Sequence, residues 1–378
     1  MSSTGLSVVL AGGGSTGHVA PLLALADCLR RRDADARLVA LGTAEGLEAR
    51  LVPEAGYDFA VVPRVPLPRR PNADLGRLPW RLRSAVAAAS RVMTDAQAQV
   101  VVGFGGYVST PAYLAARRLG LPIVVHEQNA RPGLANRLGA RFTPHVAVTF
   151  PGTPLRGAHV VGMPLRRRIT TLDRGALREE ALAAFGLEPD RTTLLVFGGS
   201  LGAQRLNVTF GRSREVLGAA GVQVLHVTGR GKTVEELETG DAGGGPPYVA
   251  VEYLDRMELA YAAADAAVCR AGAGTVCELT TVGLPAAYVP LPIGNGEQRL
   301  NAEPVVEAGG GLLVDDGQCT PEWVRDTLVP LLTDPAELAG MGKAAAAFGI
   351  TDGDERLADI VGAAIAEGAG ARGRRVAP

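Results

Sequence analysis

At 378 residues the chain is too long for one typical domain and suits two, each large enough to bury its own core. Hydrophobic residues make up 47% and aromatics only 4%, with 49 glycines, so the cores are expected to be Ala, Val and Leu beneath many tight turns. The formal charge of −1 excludes a global electrostatic case for nucleic acid, and no nucleic-acid partner is expected.

Short β-branched runs alternate with Ala/Leu-rich helical patterns throughout, the βαβ rhythm of parallel sheets. The first predicted strand, 7–11, runs into Gly12-Gly13-Gly14-Ser15-Thr16-Gly17-His18, which opens a helix. Glycines there let backbone N–H groups approach a ligand, and a helix amino terminus favours negative charge. The second strand, 37–41, is followed by Gly42 and Thr43 instead of an acid, which argues against a dinucleotide. Strands at 58–62, 100–103, 122–126 and 145–149 follow. Segment 105–111, which contains Tyr107, and the tetrad His126-Glu127-Gln128-Asn129 fall at strand carboxyl ends, where open α/β sheets bind ligands. A buried polar network bracing its loop is the second reading of the tetrad. A short strand ending in the turn 162–164 sets a boundary between domains 1–163 and 164–378, with the last helix free to pack back on the first domain.

The second series of strands is 193–197, 222–227, 248–251, 266–269 and 286–289. A glycine loop of the same design, Gly198-Gly199-Ser200-Leu201-Gly202-Ala203, opens this half, so bland turn chemistry explains the pair less well than ligand binding does. A third, Arg270-Ala271-Gly272-Ala273-Gly274-Thr275, precedes Glu278 by about one turn. That spacing suits a nucleotide, with diphosphate on the helix N–H groups and the carboxylate accepting from ribose hydroxyls. The other reading of Glu278 is an ordinary acid near a helix start. Residues 243–247 and those beyond 368 read as a loop and a frayed tail. The fold class expected is α/β, two doubly wound, Rossmann-like parallel-sheet domains with a ligand-binding cleft between them.

Four cysteines, Cys28, Cys269, Cys277 and Cys319, lack metal-finger or Cys-x-x-Cys spacing and read as reduced thiols. The apolar run 6–11 is too short for a signal peptide, and no stretch approaches membrane-spanning length. The expected location is cytoplasmic, with any membrane contact peripheral.

Taken together and in order, the loops 12–18, 105–111, 126–129, 162–166, 198–203 and 270–278 resemble the MurG family, the N-acetylglucosaminyltransferases of peptidoglycan synthesis. The resemblance implies a GT-B fold and an inverting, UDP-GlcNAc-dependent transfer that converts lipid I to lipid II. It also implies donor contacts at Ser15, Thr16, Gly17, Asn129, Arg166, Ser200 and the turn Arg270, Ala271, Gly272, Ala273, Gly274, Thr275, with ribose at Glu278. Tyr107, Leu201, Gly202, Asn207 and Leu254 complete the substrate-binding set. The family's sugar-reading Gln-Gln-x-x-Asn-Ala appears here as Glu297-Gln298-Arg299-Leu300-Asn301-Ala302, so the sugar contact falls to either Glu297 or Gln298, and Gln298 is preferred because it keeps the amide.

Direct inversion needs a base for the acceptor hydroxyl. The candidate is His18, with His126 and Glu127 as runners-up. No cofactor and no metal are expected. The two Asp-x-Asp triplets, 33–35 and 352–354, read as solvated turns rather than ligands beside a diphosphate. Seven arginines lie between Ala60 and Thr94 against the single acid Asp74, interleaved with Leu67, Leu75, Leu78, Trp80 and Leu82. With the resemblance, the segment 64–91 is expected to meet anionic lipid at the cytoplasmic face of the membrane. A UDP-GlcNAc 2-epimerase, a catalytically silent nucleotide-sugar-binding subunit and an NAD oxidoreductase are the alternatives.

Overall fold

A computed structural model describes residues 5–65, 78–199, 203–232, 245–293 and 295–376, with side chains described as far as residue 370. The chain divides into two compact units, 1–166 together with 352–378, and 167–351.

The first unit holds seven parallel strands: β1 (Ser7–Gly12), β2 (Arg37–Gly42), β3 (Asp58–Val61), β4 (Val100–Gly105), β5 (Ile123–Glu127), β6 (Val146–Val148) and β7 (Ala158–Val160). Their order across the sheet is β3-β2-β1-β4-β5-β6-β7. The central strands are covered on both faces and accordingly read as continuous apolar runs instead of alternating ones; Val8, Val9, Leu10 and Ala11 are at most 1% exposed. From β1 the chain winds outward to β3, then returns to β4 and winds the other way. The carboxyl ends of β1 and β4 therefore form a topological switch point, and the loops 12–18 and 105–111 lie there.

The second unit holds six parallel strands: β8 (Thr193–Phe197), β9 (Gln223–Val227), β10 (Tyr248–Val251), β11 (Ala266–Cys269), β12 (Ala286–Tyr288) and β13 (Gly311–Leu313), in the order β10-β9-β8-β11-β12-β13. Here the switch point falls between β8 and β11, where the third glycine loop follows β11. The three-residue strand β13 was too short to show a pattern in the sequence.

Two expectations change. The Gly-rich end is no frayed tail: the helix Gly353–Val376 runs through it, and Leu357, Ala358, Val361 and Ala364 enter the core of the first unit beside Val8, Leu22 and Leu25. Asp354 is no solvated turn residue either. It is 7% exposed and accepts from Arg31 Nη2 at 2.8 Å, while Glu355 and Asp359 pair with Arg32. Asp33 of the other triplet accepts from the backbone N–H of Leu6 and of Asp35. Cys28, Cys269 and Cys319 are buried free thiols and Cys277 is a half-buried one.

Candidate active site

In the first unit two glycine loops lie backbone against backbone. Gly105 and Gly106 take φ of +94° and +78°, and a Cβ on Gly106 would collide with the carbonyl oxygen of Gly13. A Cβ on Gly105 would stand 3.1 Å from His18 Cε1, so glycine there leaves room for the imidazole. Ser109 fixes the register of the pair: its hydroxyl accepts from Gly105 N–H at 2.9 Å and lies 2.9 Å from the Ala11 carbonyl.

Glu48, 1% exposed on the helix Glu48–Glu54, closes the loop from the other side. Its carboxylate accepts from the backbone N–H of Gly14 and of Thr43, both at 2.9 Å. Burial pushes this carboxyl up, but those amides outweigh it and hold it below the ordinary carboxylate range. The acid missing at the end of β2 thus arrives six residues after Gly42, and it serves the loop instead of a ribose. An amide bonded to a carboxylate is not open to a phosphate, so Gly14 is withdrawn from anion binding.

His18, partly exposed in the first turn of the helix Thr16–Arg32, has Nδ1 3.0 Å from Gln128 Oε1. Gln128 Nε2 donates to the His126 carbonyl at 2.9 Å and to His126 Nδ1 at 3.0 Å. His126 is fully buried, which pushes it down to about 4 and keeps it neutral, and its Nε2–H donates to the Gly162 carbonyl at 3.0 Å. Both its nitrogens are committed, so the structure corrects its place among the base candidates. Glu127 is corrected likewise: 1% exposed, it accepts from the backbone N–H of Asn129 and Gly133 and from Asn136 Nδ2, each at 3.0 Å. The bracing network is what the tetrad builds, with Asn136 tied further to Tyr113 Oη. Asn129 is partly exposed beside it; Ser15 and Gly17 are exposed, and Thr16 is partly so. Tyr107 is 41% exposed under the Arg64 guanidinium, 5.0 Å from its ring centroid, and Arg166 is exposed where the unit ends.

In the second unit the helix Ala273–Thr281 begins after Gly272, which has no side chain to satisfy its first amides. A side chain at Gly274 would meet open space. Glu278, half-buried one turn on, receives the hydroxyl of fully buried Tyr261 at 2.6 Å, which fixes the carboxylate's orientation and drives the phenol well above its usual range, burial first and the Glu278 charge second. Asn301, 1% exposed on the helix Glu297–Glu307, donates to the Ala271 carbonyl at 3.3 Å. Gln298 lies one turn earlier, on the same face. Its Oε1 accepts from Leu291 N–H at 2.9 Å, which turns the amide nitrogen outward as a donor. Glu297 instead accepts from Asn295 N–H within its own turn.

Two side chains of the expected substrate-binding set are engaged within the fold. Asn207 is 1% exposed, its amide nitrogen donating to the Thr228 carbonyl at 3.0 Å and its oxygen accepting from His226 Nε2 at 3.1 Å. Its side chain braces β9 and offers nothing to a ligand. Arg270 is held by Asp316 at 2.7 Å and by the carbonyls of Val289 and Pro290, so its guanidinium anchors the loop; Ala271 and Ala273 are buried, and Gly272, Gly274 and Thr275 are partly exposed. Leu254 is half-buried in the loop after β10. Ser200, Leu201 and Gly202 lie outside the described residues. Sequence reasoning missed Glu48, Tyr261, Asn136 and Asp316, whose partners are reached only through the fold.

Residues 8–148 match the glycosyltransferase family 28 N-terminal domain and residues 193–357 the C-terminal domain of that family. The chain is 58% identical over 361 residues to the UDP-N-acetylglucosamine--N-acetylmuramyl-(pentapeptide) pyrophosphoryl-undecaprenol N-acetylglucosamine transferase of Streptomyces avermitilis, covering 96% of this chain and 99% of the relative. To the transferase of the same name from Streptomyces coelicolor it is 56% identical over 370 residues, 98% of this chain and 100% of the relative. Among solved structures, MurG of Acinetobacter baumannii superposes with a TM-score of 0.77 at 28% identity, over 94% of this chain and 99% of that one. Two parallel sheets with alternating helices agree with the GT-B fold expected. The chain belongs to glycosyltransferase family 28 and, within it, to the MurG transferases.

Proposed function

We propose that this enzyme moves N-acetylglucosamine from UDP-GlcNAc to the 4-hydroxyl of the MurNAc in undecaprenyl-pyrophosphoryl-MurNAc-pentapeptide, converting lipid I to lipid II with inversion. The observation that carries the donor half is the open amino terminus of the helix Ala273–Thr281, flanked by Glu278 and Gln298. Its amides take the diphosphate, Glu278 the ribose hydroxyls and Gln298 the sugar, with Ser15, Thr16, Gly17, Asn129, Arg166 and Ser200 as further contacts. His18 is the base. As the acceptor oxygen attacks C1, its proton passes to His18, the C1–O bond to UDP breaks, and the electron pair leaves on the β-phosphate. The helix terminus stabilises that charge where it develops. No metal is invoked: the two Asp-x-Asp triplets belong to the first unit and are engaged by Leu6, Asp35, Arg31 and Arg356.

For the lipid acceptor we propose peripheral binding to the cytoplasmic face of an anionic membrane. Trp80, 74% exposed on the helix Leu78–Asp95, and its neighbours Arg81 and Arg83 support this. Residues 66–77 of the basic segment lie outside the described residues. No helix among the described residues is long and apolar enough to cross a membrane. The reaction is tested by UDP release from UDP-GlcNAc with and without a lipid I analogue. Release only with the analogue, unchanged by excess chelator, is expected; release without it, or a requirement for added Mg, overturns the mechanism as written.

A further inference from the structure

We infer that Gln128 is a positioning residue that sets the tautomer of His18, so that the Nε2 lone pair is the one offered to the acceptor hydroxyl. The inference rests on the reading of His18 as the base. Gln128 Nε2 faces two acceptors, the His126 carbonyl at 2.9 Å and His126 Nδ1 at 3.0 Å. The reverse orientation of the amide would set oxygen against oxygen, so Oε1 must be the atom turned to His18, 3.0 Å from Nδ1. An amide oxygen only accepts. Nδ1 of His18 therefore carries the hydrogen, and the neutral ring keeps its lone pair on Nε2.

The far end of the relay is pinned as well. His126 Nδ1 can accept from Gln128 only if its proton is on Nε2, and that proton is held by the Gly162 carbonyl at 3.0 Å. Each member has one allowed orientation, from a backbone carbonyl to the base, and none of the links needs a charge. Gln128 itself is 1% exposed, so water does not compete for it. A neutral histidine side chain in water prefers the hydrogen on Nε2, the tautomer that would turn its lone pair away from the acceptor. Gln128 reverses this preference, the task that falls to a carboxylate in hydrolytic triads.

The test is nitrogen NMR of the full chain with 15N-labelled histidine, at alkaline pH, with His18 assigned by its loss in His18→Gln. Expected are a protonated Nδ1 and a bare Nε2; a protonated Nε2 overturns the inference without any variant having to fold. In Gln128→Leu the His18 hydrogen is expected to move to Nε2. The kcat falls, by no more than the about 10²- to 10⁴-fold that a general base contributes, while KM for UDP-GlcNAc is unchanged. Wild-type kcat in a folded Gln128→Leu, or a His18 hydrogen that stays on Nδ1 in it, overturns the role. Failure of the functional reading looks different: the His18 tautomer is as stated, yet the wild-type chain transfers no sugar.

Discussion

Glu48 shows what one buried side chain does for a ligand loop. Two backbone amides converge on its carboxylate, and hydrogen bonds to a charged acceptor are worth about 1.5–3 kcal/mol net. Glu48→Gln, which keeps the shape and removes the charge, is expected to lower the unfolding free energy at neutral pH by about that amount. The sign of the pH effect follows from the folded carboxyl lying below its unfolded value. The stabilisation is fully present above the ordinary glutamate range and fades as the pH falls through the depressed folded value. Urea unfolding of both proteins checks this: the gap between them should narrow as the pH is lowered below the ordinary glutamate range, and a gap that does not change with pH rejects the assignment. The same residue marks what the sequence hid. Glu48 lies close to β2 in the chain, but its bond to Gly14 spans 34 positions, and no local pattern encodes it. Asp316 and Tyr261, which orient Arg270 and Glu278, were hidden for the same reason.

Among the elements, the helix Ala273–Thr281 separates fold stability from ligand binding. An acid near a helix amino terminus stabilises it by about 0.3–1 kcal/mol, and Gly274 has open space for a side chain. Gly274→Asp should therefore leave the melting temperature equal or higher while repelling the diphosphate, weakening UDP by about tenfold or more in calorimetry. UDP affinity unchanged by the new charge would move the diphosphate elsewhere. The helix Leu78–Asp95 makes the corresponding prediction for the lipid surface. Each arginine near an anionic membrane contributes about 1 kcal/mol, so Arg81→Glu with Arg83→Glu should weaken sedimentation with anionic vesicles by at least about thirtyfold. Equal binding of the double variant rejects that face. Strands and glycine loops were legible because buried parallel strands read as unbroken apolar runs and the turns that follow them need glycine. The helix through the Gly-rich end was not, since its formation depends on packing against the first sheet rather than on propensity.

At the scale of the whole molecule, the chain leaves its first unit at Arg166 and re-enters it at Asp352. The final helix is thus a structural part of the unit that starts the chain. Leu357 and Val361 are at most 1% exposed in the first core, and burying each is worth about 1.5–3 kcal/mol. Arg31 and Arg32 lose their partners if Asp354, Glu355 and Asp359 are removed. Against a domain stability of about 5–15 kcal/mol, that loss is a large fraction. A chain ended after Thr351 should therefore lose cooperative unfolding of the first unit. Its second unit, 167–351, contains the open helix terminus, Glu278, Tyr261 and Gln298, and should still bind UDP, weakened only by the loss of the proposed contacts at Ser15, Thr16, Gly17, Asn129 and Arg166. Calorimetry with UDP alongside thermal unfolding separates the two. An intact first transition would show the helix to be an accessory, whereas complete loss of UDP binding would show that the open helix terminus is not where most of the nucleotide's binding resides.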